Sequence, residues 1–237
     1  LPRLFRWMRL PGCRLAAALV ALLAGILLVS PAPLVAASGL SQETPVDVEV
    51  THAPDACTVY WNVDADGFWD VASNWSTGIV PGSGSTACLN RPSGVFVVTI
   101  RQSTGTVGIV QSHEVLRVIT GGSITVGQVS NAGSGIQLEG GTVSNGAGSW
   151  QIGGASSWAA GTINDQVTIT GTLTLSTTVT KVLGGTLTNA GTVIHIQGDL
   201  DSATINNLPG AIYDFQGDVQ ITTSSNFTNQ GTLKKTG

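Results

Sequence analysis

The second half of the chain repeats a short phrase built around asparagine and glycine about every 20 residues. LTNAGTV occupies residues 187–193, INNLPGAI residues 205–212 and FTNQGTL residues 227–233. Triplets of glycine, any residue and an apolar residue continue this repeat back to Gly105, with spacings between 19 and 23 residues. A repeat of this length is typical of a solenoid, in which each repeat forms one coil and packs against its neighbours.

The residues between the glycines favour strands. In VTITGTLTLS, residues 167–176, apolar residues alternate with threonine, which is the two-residue period of a strand with one buried face. We expect the glycines to accept the positive φ of tight corners, and the stacked asparagines to hydrogen-bond from coil to coil. The sequence therefore predicts an all-β solenoid with coils of about 20 residues.

The first 37 residues have the composition of a secretory signal peptide. Four arginines precede the apolar run Leu15–Val29, and Val35 to Ala37 supply the small residues that a signal peptidase needs. We predict cleavage near Ala37 and a protein that is secreted or held at the cell surface; a retained membrane anchor is the alternative. Residues 38–56 are polar and contain prolines, which indicates a flexible leader.

The charge of the chain constrains its partners. After residue 37, six Lys and Arg residues stand against all 14 acidic residues, so the formal net charge is −8. This balance argues against nucleic acid and against an anionic membrane as partners, and we predict that the mature chain is not embedded in a membrane. Extracellular glycans or surface proteins remain as candidate partners.

Two cysteines lie beyond the signal peptide, Cys57 and Cys88. In an oxidising compartment an even pair most simply forms one disulfide, and closing a loop of this length adds about 3 kcal/mol of stability. A metal site formed by the same pair is the alternative.

Residues 57–100 differ from the repeats that follow at 101–237, because they hold three tryptophans, Trp61, Trp69 and Trp75. A solenoid needs a cap over its first coil, and tryptophan is the largest side chain available to fill a small cap. Exposed indoles also stack on sugar rings. We therefore predict a Trp-rich β capping module, with a glycan site on these three tryptophans as the alternative.

A calcium site is a second candidate in this module. Asn62, Asp64, Asp66 and Gly67 match the opening of an EF-hand loop, but Ser73 stands where that loop requires glutamate. A plain Asp-Gly turn explains the same residues. Apart from this calcium hypothesis, no cofactor is predicted.

Catalytic chemistry has little support in the sequence. The best carboxylate cluster is Asp199, Asp201, Asp214 and Asp218, which would suit a polysaccharide lyase or a glycoside hydrolase if the residues met on neighbouring coils. Calcium binding is an alternative, but we favour simple exposure to solvent at a turn. We predict no catalytic residue.

Several segments resemble a known class of proteins. The runs GTINDQVTITGTLTLS (161–176), GGTLTNAGTVIHIQGDL (184–200), ATINNLPGAIYDFQGDVQI (203–221) and NFTNQGTLKKTG (226–237) resemble the β-strand repeats of large secreted bacterial surface proteins. Those repeats are similar to the right-handed parallel β-helix of adhesins, autotransporter passengers and pectin-lyase-like proteins. The segment at 61–90 resembles the tryptophan-rich module that often opens such an array.

The resemblance implies an extracellular or cell-surface structural and adhesive module without catalytic activity. A carbohydrate-binding or polysaccharide-degrading protein is the alternative. Because residues 234–237 follow the opening of another repeat, the sequence also predicts an N-terminal fragment of a longer repeat array.

Overall fold

A computed structural model describes residues 56–222 and 226–237 of the chain, except for the side chain of Ala203. The described part contains 21 strands and one short 3₁₀ helix, Ala72–Asn74. All the strand pairings are parallel, and they stack into a solenoid of about seven turns with coils of roughly 20 residues. The predicted all-β solenoid is confirmed; the right-handed winding stays a prediction.

The strands are short, and most of them end at a corner of the coil. In the first half of the described chain they are β1 (Val59–Tyr60), β2 (Gly67–Phe68), β3 (Thr86–Leu89), β4 (Val97–Ile100), β5 (Ser103–Val107), β6 (Ile109–Ser112), β7 (Val115–Ile119), β8 (Ser123–Val126), β9 (Ser130–Ala132) and β10 (Ile136–Asn145). They continue with β11 (Trp150–Ile152), β12 (Ala155–Ile163), β13 (Gln166–Ile169), β14 (Thr172–Leu175), β15 (Lys181–Asn189), β16 (Thr192–His195), β17 (Leu200–Asn207), β18 (Ile212–Phe215), β19 (Ile221–Thr222), β20 (Asn226–Asn229) and β21 (Thr232–Lys235).

Pairing divides these strands into three faces. Face A joins β1, β3, β6, β9, β11, β13, the ends of β15 and β17, and β20. Face B joins β2, β4, β7, the starts of β10 and β12, β14, β16, β18 and β21. Face C joins β5, β8, the ends of β10 and β12, the starts of β15 and β17, and β19.

Alternation along each strand builds the core. In β7, Leu116 and Val118 are buried while their neighbours are partly exposed, and β4, β8, β14 and β16 show the same pattern. The parallel register places Leu116 beside Ile136, and Val118 beside Leu138. Each inward side chain therefore packs on an equivalent side chain one coil away, and burial of these stacked rows is the main stabilising term.

Three of the glycines before face B fit their corners for a reason other than the expected one. Gly171, Gly191 and Gly231 do not adopt a positive φ, so that expectation is wrong for them. A Cβ atom at Gly191 would instead lie 2.2 Å from the carbonyl oxygen of Gly171 in the neighbouring coil. These corners require glycine because two backbones approach closely. Positive φ does occur at Gly210, at the equivalent corner before β18, and at Gly198 in a different corner.

The tryptophan-rich segment belongs to the same ladders as the repeats. Val59 and Tyr60 in β1 pair with Ala87 and Cys88 in β3, and β3 pairs in turn with β6. On face B, β2 pairs with β4, which pairs with β7. Residues 57–100 therefore form the first described coils, and their strands hydrogen-bond directly to the repeats that follow.

Candidate functional site

The three tryptophans of the first coils are buried. Trp61, Trp69 and Trp75 are each no more than 2% exposed. Trp75 meets both others edge to face, at centroid distances of 5.2 Å and 4.7 Å, and its Nε1–H donates to the carbonyl oxygen of Trp69 at 2.7 Å. Since sugar stacking needs an accessible ring face, this packing favours the capping role. The glycan site on these tryptophans stays a prediction.

A small cleft of about 170 Å³ borders Trp69. Asp70, Arg101, Ser103 and Thr104 also line it. Arg101 donates from Nη2 to Asp70 at 3.0 Å and lies 3.8 Å above the ring of Phe68, and this bond holds the pKa of Asp70 below its usual value. The guanidinium and the carboxylate are therefore already paired with each other.

The proposed metal and disulfide residues have clear contacts. Cys57 and Cys88 form a disulfide with a Cα–Cα distance of 5.7 Å. The Asp64 carboxylate accepts hydrogen bonds from Arg91 and Ser93, and Asp66 accepts one from the backbone N–H of Val97.

Asp64 and Asp66 thus accept hydrogen bonds from different partners, and the backbone N–H of Asn62 donates to the carbonyl oxygen of Asn74. Within residues 56–222 and 226–237, no group of three or more His, Cys, Asp and Glu side chains could hold a metal ion. The calcium site stays a prediction, without support from a cluster of ligands.

The aspartates near the end of the chain make separate contacts. The Asp199 carboxylate accepts a hydrogen bond from the backbone N–H of Gln220, whereas Asp218 lies 3.5 Å from Lys235 Nζ. Asp214 accepts hydrogen bonds from the Thr236 hydroxyl at 2.9 Å and from the Gln216 amide at 3.0 Å. Asp201 pairs with Val182 on face C. Each contact fixes a turn or a strand end, and none of them pairs two carboxylates as an acid and a base.

The repeated asparagines form a hydrogen-bonded ladder, as expected, and its first two members are buried. Asn189 Nδ2 donates to Asn207 Oδ1 at 2.7 Å, and Asn207 Nδ2 donates to Asn229 Oδ1 at 2.7 Å. Each of the first two amides also donates to a face B carbonyl, that of Ile212 or Thr232. Because Asn189 and Asn207 are almost fully buried, these bonds satisfy polar groups that water cannot reach.

A second buried polar cluster lies between faces B and C, and sequence reasoning did not predict it. The Lys181 ammonium donates to three backbone carbonyls, those of Thr177, Val179 and Gln197, at 2.8–3.0 Å. Burial lowers the pKa of Lys181, and the nearby Asp199 carboxylate partly offsets this shift. With all three N–H donors bonded to carbonyls, Lys181 clamps two turns of neighbouring coils together.

His195 extends this cluster into the core. Its Nε2 lies 2.6 Å from the carbonyl oxygen of Gly198, so Nε2 carries the proton and Nδ1 accepts from the Tyr213 hydroxyl at 3.3 Å. Burial lowers the pKa of His195 and raises the pKa of Tyr213. Both groups are therefore neutral at neutral pH, and they satisfy each other inside the solenoid.

The outward side of face A is uncharged along its whole described length. One column of outward residues runs from coil to coil in register: Gln111, Asn131, Gln151, Thr168, Thr188, Asn206 and Thr228. A second column on the last four coils contains Gln166, Thr186, Thr204 and Asn226. We call these two columns the neutral face. No strand segment of face A contains Asp, Glu, Lys or Arg within the part of the chain that the structure describes.

The other two faces lack this uniformity. The corresponding outward column of face B contains Arg117, Asp214 and Lys234, and that of face C changes from Thr162 to Val182 and then to Asp201. On the neutral face, by contrast, the side chains of Asn131, Gln151 and Thr168 make no hydrogen bond to any described residue. Their amide and hydroxyl groups are therefore available to a partner outside the chain.

Comparison with family models, with curated proteins and with solved structures finds no match for this chain. In the part of the chain that the structure describes, no helix has the length and apolar character needed to cross a membrane. The predicted signal peptide and leader at residues 1–55 lie outside the described residues, apart from the leader's last residue, Ala56.

Proposed function

We propose that this chain is a structural and adhesive β-solenoid module that works outside the cell, attached to a surface or released from it. The neutral face carries the proposal. It is an array of outward hydrogen-bonding groups in register, with one column across seven successive coils and a second across the last four. Many weak contacts of this kind add up when the groups that make them are already fixed in position.

The extracellular location draws on two independent features. The Cys57–Cys88 disulfide is of a kind that persists in oxidising compartments. The sequence before residue 38 has the charge and apolar pattern of a secretory signal. Expression of the full chain in a secreting bacterium tests this part, since the N-terminal sequence of the exported protein should begin at or near Ser38. Retention of residues 1–37 in the exported protein would contradict it.

Adhesion through the neutral face should depend little on salt. Because neither column contains a charge, retention on a surface should be nearly unchanged between about 0.1 M and about 1 M NaCl. Adhesion through the ionic groups of face B would weaken strongly over the same range. The measurement is retention of the purified chain on beads coated with a neutral glucan, an acidic polysaccharide, a matrix protein or bare polystyrene.

A matched pair of variants locates the adhesive face. The triple variant Asn131→Ala, Gln151→Ala, Thr168→Ala removes three successive side chains of the neutral face, and should abolish most of the retention. The control triple variant Ser123→Ala, Thr142→Ala, Thr162→Ala removes three successive side chains of face C, and should leave retention intact. Equal losses in both variants, or retention on none of the surfaces, would overturn the adhesive proposal.

A further inference from the structure

The composition of the neutral face points to a particular partner, and this inference rests on the proposed adhesive function. We propose that the neutral face binds an extended, uncharged polysaccharide that lies along the solenoid axis across several coils. Sugar hydroxyls would pair with the outward amide and hydroxyl groups of the column from Asn131 to Thr228.

The side chains of the neutral face match sugar hydroxyls in their hydrogen-bonding groups. A primary amide offers both N–H donors and a carbonyl acceptor, and a threonine hydroxyl can donate and accept. A chain of sugar hydroxyls has the same dual character, so neither side leaves a donor or an acceptor unpaired on contact. An acidic polysaccharide would find no cation on this face. It would also meet repulsion from a protein whose formal net charge is −4.

The spacing of the neutral face suits an extended polymer. Successive coils place equivalent side chains about 4.8 Å apart, so the column from Gln111 to Thr228 presents a continuous row across seven coils. On the last four coils the second column, from Gln166 to Asn226, widens the row into a flat strip. Only a partner that is itself long and repetitive can use every rung of such a strip.

An exposed aromatic residue lies on the same ladder as the row. Tyr60 is 50% exposed and pairs with Cys88, which pairs with Gln111, so Tyr60 lies two coils beyond Gln111. An exposed phenol ring is a stacking surface for a pyranose. Thus an exposed aromatic group lies in line with the neutral face, one coil past its first member's neighbour Cys88, although the three tryptophans are buried.

Affinity electrophoresis of the full chain tests the inference. Native gels contain either soluble hydroxyethyl cellulose, a neutral glucan, or polygalacturonate, an acidic polysaccharide. We expect the neutral glucan to retard the chain and polygalacturonate to leave its mobility unchanged. The neutral-face triple variant should lose affinity about 100-fold, because hydrogen-bonding groups are removed from three rungs. Tyr60→Ala should lose about tenfold, and the face C control triple variant should bind as the unmodified chain does.

Further variants keep the test decisive. Arg101→Ala alters the cleft beside Trp69 and should leave glucan binding unchanged, whereas loss of binding in this variant alone would assign the site to the cleft and overturn the proposal. If a triple variant fails to fold, as judged by circular dichroism, the single variants Gln151→Ala and Thr162→Ala replace the pair.

The outcomes separate the inference from the proposed function. Salt-independent retention on protein or polystyrene beads that is lost in the neutral-face variant, without retardation by the glucan, would overturn the polysaccharide partner and leave the adhesive module standing. Self-association of the chain in sedimentation, abolished by the same variant and again without retardation, would identify the partner as a second copy. Failure to adhere to any surface would remove both proposals.

Discussion

The first described coils and the asparagine coils are stabilised in different ways. In the first coils, residues 57–100, each contact occurs once: one disulfide, one pair of edge-to-face contacts at Trp75, and separate ion pairs that Arg91 and Arg101 make with Asp64 and Asp70. In the asparagine coils, residues 187–232, the same side chain returns at the same position of each coil. One region uses specific cross-links, and the other uses repetition.

This difference predicts how far the effect of one substitution extends to neighbouring coils. A unique contact can fail without weakening an equivalent contact elsewhere. A repeated contact is shared, since Asn207 accepts from one neighbouring asparagine and donates to the other. Substitutions at separate contacts of the first coils should therefore have large and additive effects, whereas substitutions in the asparagine coils should have smaller and coupled effects.

The largest effect is expected for Trp75→Ala. This change removes a buried ring from between two other indoles and deletes the hydrogen bond to the Trp69 carbonyl. The free energy of unfolding should fall by about 3–5 kcal/mol in urea denaturation. Tyr60→Ala, which truncates a half-exposed ring in the neighbouring strand, should cost about 1 kcal/mol or less. Similar losses in both variants would mean that the buried Trp75 contributes no more to stability than the half-exposed Tyr60 does.

Opening the disulfide should have the next largest effect. The double variant Cys57→Ser, Cys88→Ser frees a link between residues 31 positions apart, and should lower the free energy of unfolding by about 3 kcal/mol. Because the link is unique to the first coils, its loss should add to that of Asn207→Ala without coupling. A chain whose urea midpoint is the same with and without reductant would contradict this prediction.

Asn207→Ala tests the repeated ladder. It leaves the Asn189 amide without one acceptor and the Asn229 carbonyl oxygen without its donor, so about 2 kcal/mol of stability should be lost. Asn206→Ala is the matched control, because it changes the adjacent residue on the opposite side of the same strand and should cost less than about 0.5 kcal/mol. Asn189→Ala combined with Asn207→Ala should cost less than the sum of the two, and strict additivity would show that the ladder is not shared.

The pH dependence of stability tests the buried histidine. Since burial lowers the pKa of His195 below its usual 6.5, the unfolded chain binds this proton more readily than the folded chain does. The stability that the neutral His195 contributes is present above pH 6.5 and is lost as the pH falls from there toward the folded pKa. Each tenfold difference in proton affinity between the two states corresponds to about 1.4 kcal/mol. His195→Leu should flatten this part of the profile in urea titrations at each pH, and an unchanged slope would contradict the assignment.

The smallest effect is expected for Arg117→Ala. Arg117 donates to Glu139 at 2.6 Å on face B, but both side chains are partly accessible to solvent. Such pairs contribute about 0.5 kcal/mol, and less in high salt. A loss above about 2 kcal/mol in urea would mean that surface ion pairs stabilise these coils as strongly as the buried ladder does.

Local sequence pattern was enough to predict the coils and some of their contacts. The alternation at residues 167–176, the return of asparagine at 189, 207 and 229, and the even number of cysteines each depend on residues that are close in sequence or chemically unmistakable. The fold, the asparagine ladder and the disulfide are accordingly in the structure.

The spacing of the glycines alone could not show which corner of the coil each glycine occupies. Gly127 and Gly148 precede strands of face A, whereas Gly171, Gly191 and Gly231 precede strands of face B, so one apparent repeat combined two different corners. The neutral face was missed for the same physical reason. Its successive members Gln151, Thr168 and Thr188 are 17 and 20 residues apart, because the corners differ in length, and only the hydrogen-bonded register aligns them.

The corner at residues 208–211 shows what such irregularity permits. It holds two more residues than the equivalent corner at 190–191, yet Ile212 still pairs with Thr192 and Asn207 with Asn189. The two extra residues lie outside the strand pairings. The register of the paired strands is therefore independent of the number of residues in the preceding corner. A foreign peptide epitope inserted after Pro209 should accordingly be displayed at a fixed position along the solenoid axis. This makes the corner suitable for inserting peptides in engineered display scaffolds.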